Sequence, residues 1–163
     1  MYVEPLRGGD VATVTNCRRE DLRELEAILQ LSPEAAAWSA NSLSDTFEHC
    51  PAYFLVGWQG KEIAGFISGR RILDQAEILN LAVRPRSRYQ GSGKALVKAL
   101  LELFAREGAG QVFLEVRETN LGAVAFYERL GFQQIGRREA YYRDPVGAAL
   151  ILAVESKSPA STG

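Results

Sequence analysis

Eleven residues in the middle of the chain carry the densest chemical signal. Arg84-Pro-Arg-Ser-Arg-Tyr-Gln-Gly-Ser-Gly-Lys94 joins a strand-patterned run to a long helix-patterned one. Arg84, Arg86, Arg88 and Lys94 concentrate positive charge there, and Gly91 and Gly93 let backbone N–H groups approach a ligand with no Cβ in the way. The helix start adds unpaired N–H donors and the positive end of the helix dipole. Together these suit a phosphate, most naturally a pyrophosphate. Two phosphate-binding motifs do not fit. A Walker loop needs Gly and Ser or Thr where Arg88 and Ala95 stand, and the dinucleotide fingerprint needs Gly or Ala where Leu96 stands. A solvated basic loop with a glycine-rich helix entry is the plain alternative.

Acid–base chemistry has two candidates. Alternation along Val112–Arg117 puts Glu115 with Phe113 and Arg117, on the face opposite Val112, Leu114 and Val116. A carboxylate beside aromatic and apolar groups suits a general base, and the same spacing suits an ordinary Glu on a partly wet sheet face. Tyr127 follows Ala123 and Phe126 at helical spacing; it reads as a core aromatic or as a phenol acid. Asn120 reads as the cap of that helix. The single His49 has no Cys/His cluster or nucleophile-elbow sequence around it, so no metal is expected, and it reads as a partly exposed loop residue near Pro51. Cys17 and Cys50 read as reduced, buried thiols.

The elements that would position these groups alternate closely. Strand patterns cover residues 11–14, 52–58, 62–72, 77–83, 112–117, 132–138 and 148–154. Helix patterns cover 19–31, capped by Asn16 or Thr15, then a short helix from Ser32-Pro33 carrying Trp38 and running on to Phe47, then 91–107 and 120–130. The order β-α-α-β-β-β-α-β-α-β-β predicts a mixed α+β or α/β fold with helices on both faces of the sheet. At 163 residues the chain suits one domain over 11–155, with a loose arm at 1–10 and a fraying tail at 156–163. A net charge of −1 argues against a non-specific nucleic-acid binder. No apolar run approaches the roughly 18 residues of a membrane span, and no secretory pattern opens the chain, so a cytoplasmic protein is expected.

Arg88-Tyr-Gln-Gly91-Ser-Gly93 resembles the Arg/Gln-x-x-Gly-x-Gly/Ala motif of the GCN5-related N-acetyltransferases. Ile78-Leu-Asn-Leu-Ala-Val83 resembles the strand that precedes it, and Asn120-Leu-Gly-Ala-Val-Ala-Phe-Tyr-Glu-Arg-Leu-Gly-Phe132 the second hallmark. The likeness spans roughly residues 11–154. Leu114–Asn120, Phe126–Phe132 and Arg137–Tyr142 are similar to the RimI-like branch, which acetylates the N-terminal alanine of a ribosomal protein. The resemblance implies a central, mixed, mostly antiparallel twisted sheet of about seven strands. It implies direct acetyl transfer from acetyl-CoA to a primary amine, with no metal. Glu115 would be the base and Tyr127 the acid. Leu81, Ala82, Val83, Arg88, Tyr89, Gln90, Gly91, Ser92, Gly93, Lys94 and Asn120 would hold the cofactor, with Trp38, Tyr141 and Tyr142 around the acceptor. The partner would be a ribosomal-protein N-terminus or, alternatively, a small amine; a non-catalytic acyl-CoA-binding regulator is a further alternative. Ala140 stands where the branch usually has Asn, and Gly147-Ala148 where it has Glu-Asp, both on the acceptor side.

Overall fold

The computed structural model describes residues 13–32, 40–88, 91–143 and 145–156. Among them the strands are β1 (Thr13–Asn16), β2 (Phe54–Gln59), β3 (Glu62–Ile72), β4 (Gln75–Val83), β5 (Gln111–Arg117), β6 (Gln133–Arg143) and β7 (Val146–Glu155), and the helices α1 (Leu22–Gln30), α2 (Ala40–His49), α3 (Ser92–Arg106) and α4 (Leu121–Arg129). The strands form a seven-stranded sheet in the order β1-β2-β3-β4-β5-β7-β6. β1–β2, β2–β3, β5–β7 and β6–β7 are antiparallel, while β4 and β5, joined through α3, are parallel. A parallel neighbour needs such a crossover, because a tight turn can only reverse the chain. The expected element order and mixed, mostly antiparallel sheet are both found. The expected arm at 1–10 and all but the first residue of the expected tail lie outside the described residues.

The chain divides into two units, the first comprising the described residues up to Arg70 with Asn80–Leu103, the second Arg71–Leu79 with the described residues from Phe104 onward. In the first, α1 and α2 bury Leu25, Ile28 and Leu43 against Phe54 and Val56 of β2, Phe66 of β3 and Ala82 of β4. The rings of Phe54 and Phe66 stack at 5.6 Å. At Gly57 a Cβ would meet the Leu96 side chain at 3.3 Å. At Gly65 a Cβ would meet the Ala82 carbonyl oxygen at 2.4 Å, so only glycine lets the strands approach this closely. In the second unit Val112, Leu114 and Val116 are buried while Phe113, Glu115 and Arg117 are half-buried, the alternation read from the sequence.

Local chemistry moved several boundaries. Asn16 ends β1 instead of capping a helix. The turn into α1 is closed by the buried Asp21, whose carboxylate accepts from the Arg18 N–H at 2.9 Å. Ser32, expected as a cap, is buried and its hydroxyl accepts from Arg88. Pro33 and Trp38 lie outside the described residues, and α2 continues past Phe47 to the exposed His49, which sits on a helix end instead of in a loop. Cys17 is buried as expected and Cys50 only half-buried; both are free thiols. Gly108 and Gly131, at φ +87° and +98°, follow the last turns of α3 and α4. β6 runs five residues beyond its expected end.

Candidate active site

The anion-binding half lies in the first unit. Among the described residues the first bond into α3 runs from the Ala95 N–H to the Gly91 carbonyl at 3.0 Å, and Ser92, Gly93 and Lys94 form the first turn of the helix, whose N–H groups open it. Gly91 has φ +88° and open space where a Cβ would stand. The Ser92 hydroxyl is buried with no hydrogen-bond partner, an unfilled polar position at the mouth of a helix of 15 residues. Lys94 is exposed in the first turn. These features fit a pyrophosphate. Leu81, Ala82 and Val83 close β4 just before this turn. β4 pairs with β5 along Gln75–Ile78, so these three residues lie beyond that register, where backbone amides suit an extended pantetheine arm.

The arginines of the turn behave differently from the expected cluster of cations. Arg84 donates to the Ile63 carbonyl at 3.0 Å and to Glu24 at 3.1 Å, and its side chain is only 15% exposed. Arg86 pairs with Glu62 at 2.7 Å. Arg88 donates to the Val83 carbonyl at 3.2 Å and to the Ser32 hydroxyl at 3.3 Å. These guanidinium groups brace the turn against β3, β4 and α1. The backbone N–H groups, Ser92 and Lys94 are the donors of this turn that take no such bracing role among the described residues. Tyr89 and Gln90 lie outside the described residues.

The second unit carries the acid–base candidates. Glu115 is 17% exposed and faces Arg138 at 3.5 Å. The Tyr141 phenol is pushed up, first through hydrogen bonding toward the Glu115 carboxylate and then by burial, while Arg138 opposes the shift. Burial, then the Glu115 charge, pushes the Tyr142 phenol up, while Arg117 opposes the shift. Arg117 lies 4.1 Å from the Tyr142 ring centroid and donates to the Pro145 carbonyl at 2.8 Å. Tyr127 sits elsewhere in this unit, between the rings of Phe126 and Phe132 at 5.1 and 5.4 Å. Burial drives its phenol far above the ordinary value of 10.0, so it holds its proton throughout the working range. The Asn120 side chain accepts from the Ala123 N–H at 3.2 Å, confirming the cap.

Glu115, Tyr141 and Tyr142 are thus brought together within one unit, and Leu81–Val83, Arg88 and Gly91–Lys94 within the other. Arg138 escaped the sequence reading. Its only signal was a second arginine in Arg137-Arg138, and nothing in strand alternation shows that a residue two strands away reaches Glu115.

A model of the acetyltransferase (GNAT) family matches residues 19–132. The ribosomal protein bS18-alanine N-acetyltransferase of Escherichia coli (strain K12) is 32% identical over 144 residues, which cover 87% of this chain and 96% of that enzyme. The crystal structure of the ribosomal-protein-S18-alanine N-acetyltransferase from Escherichia coli matches with a TM-score of 0.79 and 29% identity, covering 93% of this chain and 98% of that one. Chaetomium thermophilum Naa20, in complex with a bisubstrate analogue, matches with a TM-score of 0.79 and 25% identity, covering 93% of each chain. The chain belongs to the GNAT acetyltransferase family.

Proposed function

We propose that the protein is an acetyl-CoA-dependent N-acetyltransferase acting on the N-terminal α-amine of a protein, with a ribosomal-protein N-terminal alanine as acceptor. The observation that carries this is the 32% identity to the bS18-alanine enzyme along 96% of that enzyme's length. With such an acceptor the protein works in the cytoplasm.

Acetyl-CoA, when bound, supplies a thioester whose acetyl carbon takes the amine nitrogen while its C–S bond breaks. The N–H groups opening α3, the Ser92 hydroxyl and Lys94 bind the pyrophosphate, and the backbone of Leu81–Val83 holds the pantetheine. An α-amine has an ordinary pKa near ~8, so much of it is already neutral and the base has a light task. Glu115 takes the remaining proton, directly or through a water. Tyr127, kept protonated by burial, donates toward the departing sulfur. The reaction needs no covalent enzyme intermediate, and the free thiols Cys17 and Cys50 take no part in it.

The test is coenzyme A release with two substrate panels: peptides beginning with alanine, and small amines (amino acids, polyamines). Alanine-starting peptides should react, and Glu115→Gln should lower kcat about a hundred-fold. Turnover confined to free amines would replace the acceptor with a metabolite. Acetyl-CoA binding without turnover on either panel would make the chain a regulator.

A further inference from the structure

Two polar side chains lie deep in the first unit and have no part in the chemistry above. Ser68 on β3 is 0% exposed and Asn80 on β4 is 5% exposed. Neither the Ser68 hydroxyl nor the Asn80 Nδ2 has a hydrogen-bond partner among the described residues. A buried polar atom left unbonded forfeits its hydration with no return, so a pair of them in one core calls for an occupant.

Strand geometry sets the two side by side. β3 and β4 are neighbours in the sheet, and only Leu73 and Asp74 join them, so they run antiparallel. The Arg84 N–H donates to the Ala64 carbonyl at 2.7 Å, and a Cβ on Gly65 would lie 3.0 Å from the Val83 Cα. Each step forward on β3 is one step back on β4, so Phe66 comes beside Ala82 and Ser68 beside Asn80. Phe66 and Ala82 do share one core cluster. Burial alternates along β4 without a break through Ile78, Asn80 and Ala82. Ser68 and Asn80 therefore stand on the core face, two residues further on. Phe54, the register partner of Ser68 on β2, bounds the other side with its ring stacked on Phe66.

Side chains opposite one another on such strands have Cβ atoms about 5 Å apart, yet these two make no bond to each other. The Nδ2 group offers two N–H donors; the hydroxyl offers one donor and two lone pairs. An N–H donor repels a cation, and an apolar guest would leave both atoms unbonded. The fitting occupant is small and both accepts and donates, which describes water. We propose that Ser68 and Asn80 bind one buried water, which accepts from Asn80 Nδ2, bonds the Ser68 hydroxyl and ties β4 to β3. The tie falls where β4 needs one. Pairing of β4 to β5 runs along Gln75–Ile78, so from Asn80 onward that edge of β4 lacks the β5 ladder. The water steadies the Leu81–Val83 stretch, to which the reading above gives the pantetheine; the water site itself does not depend on that reading.

The experiment pairs a crystal structure of the wild-type protein, at a resolution that orders internal waters, with amide hydrogen exchange read by NMR. The crystal should show one water within hydrogen-bond distance of both Ser68 Oγ and Asn80 Nδ2. Asn80→Leu, close to asparagine in size, should exclude it. In that variant and in Ser68→Ala the Leu81–Val83 amides should exchange about ten-fold faster, with the β5 and β7 amides unchanged. A wild-type structure with no water in reach of both atoms, or with Ser68 bonded directly to Asn80, overturns the proposal. Unchanged exchange at Leu81–Val83 in both variants overturns the tie. A protein that holds the water and binds no acetyl-CoA in calorimetry upholds the water site and overturns only the cofactor reading.

Discussion

Tyr127 illustrates what burial does to a single side chain. Packed between two phenylalanine rings, the phenol keeps its proton far above its ordinary range, so its O–H is present as a hydrogen-bond donor to a departing sulfur and it cannot serve as a base. Tyr127→Phe should leave KM for acetyl-CoA nearly unchanged and lower kcat about a hundred-fold in steady-state assays; unaltered kcat would remove it from the acid role. Cys17 shows the same physics in a thiol. Burial first, then the Asp21 charge, pushes it from 9.0 to about 12. At about pH 8 its thiolate is on the order of one molecule in ten thousand, so an alkylating reagent should label half-buried Cys50 well before Cys17, as peptide mass spectrometry would read. Gly147 stands at one departure from the RimI-like pattern. A Cβ there would lie 2.9 Å from Arg117 Nη1, so a longer residue would have to shift the guanidinium that stacks on Tyr142.

Turns decide much of the behaviour of the elements. Leu73, 85% exposed, links β3 to β4 at φ +57°, a conformation that asparagine tolerates and leucine does not. Leu73→Asn should raise the stability of the protein by about 0.5–1 kcal/mol in urea unfolding, because nothing buried is lost and backbone strain is relieved. Gly91 is the opposite case. A methyl group there meets open space, but φ +88° strains any residue with a Cβ. Gly91→Ala should cost about 1 kcal/mol of stability and weaken acetyl-CoA binding roughly ten-fold in calorimetry, since relieving the positive φ shifts the turn that opens α3. Elements with strong local signals were legible: β3 and the cap at Asn120 fall where periodicity and cap chemistry put them. β6 was not. Its eleven residues are nearly all exposed, so it lacks the alternation that betrays a strand, and pairing to β7 alone extends it to Arg143.

At the scale of the molecule, the buried protons set the alkaline limit of stability. A folded-state value raised above the unfolded one means that the native protein holds its proton longer. The stabilisation is therefore present in full below the unfolded value and is lost as pH rises through the folded one. Stability should begin to fall above about pH 9 through Cys17, and more steeply beyond about pH 10 as Tyr127 and Tyr142 join. Cys17→Ala should flatten the first part of that decline in urea unfolding measured as a function of pH; an unchanged slope would show that Cys17 does not contribute. By itself the amino-acid sequence determined the order of strands and helices, the glycine-opened helix start, and Glu115 on the half-buried face of β5. Each follows from periodicity, backbone sterics or capping, which act over a few residues. Tertiary structure alone decided that the arginines of the turn brace their own scaffold, and that Arg138 and Tyr141 converge on Glu115. Those contacts depend on register across three strands, of which chain-local preference carries no record.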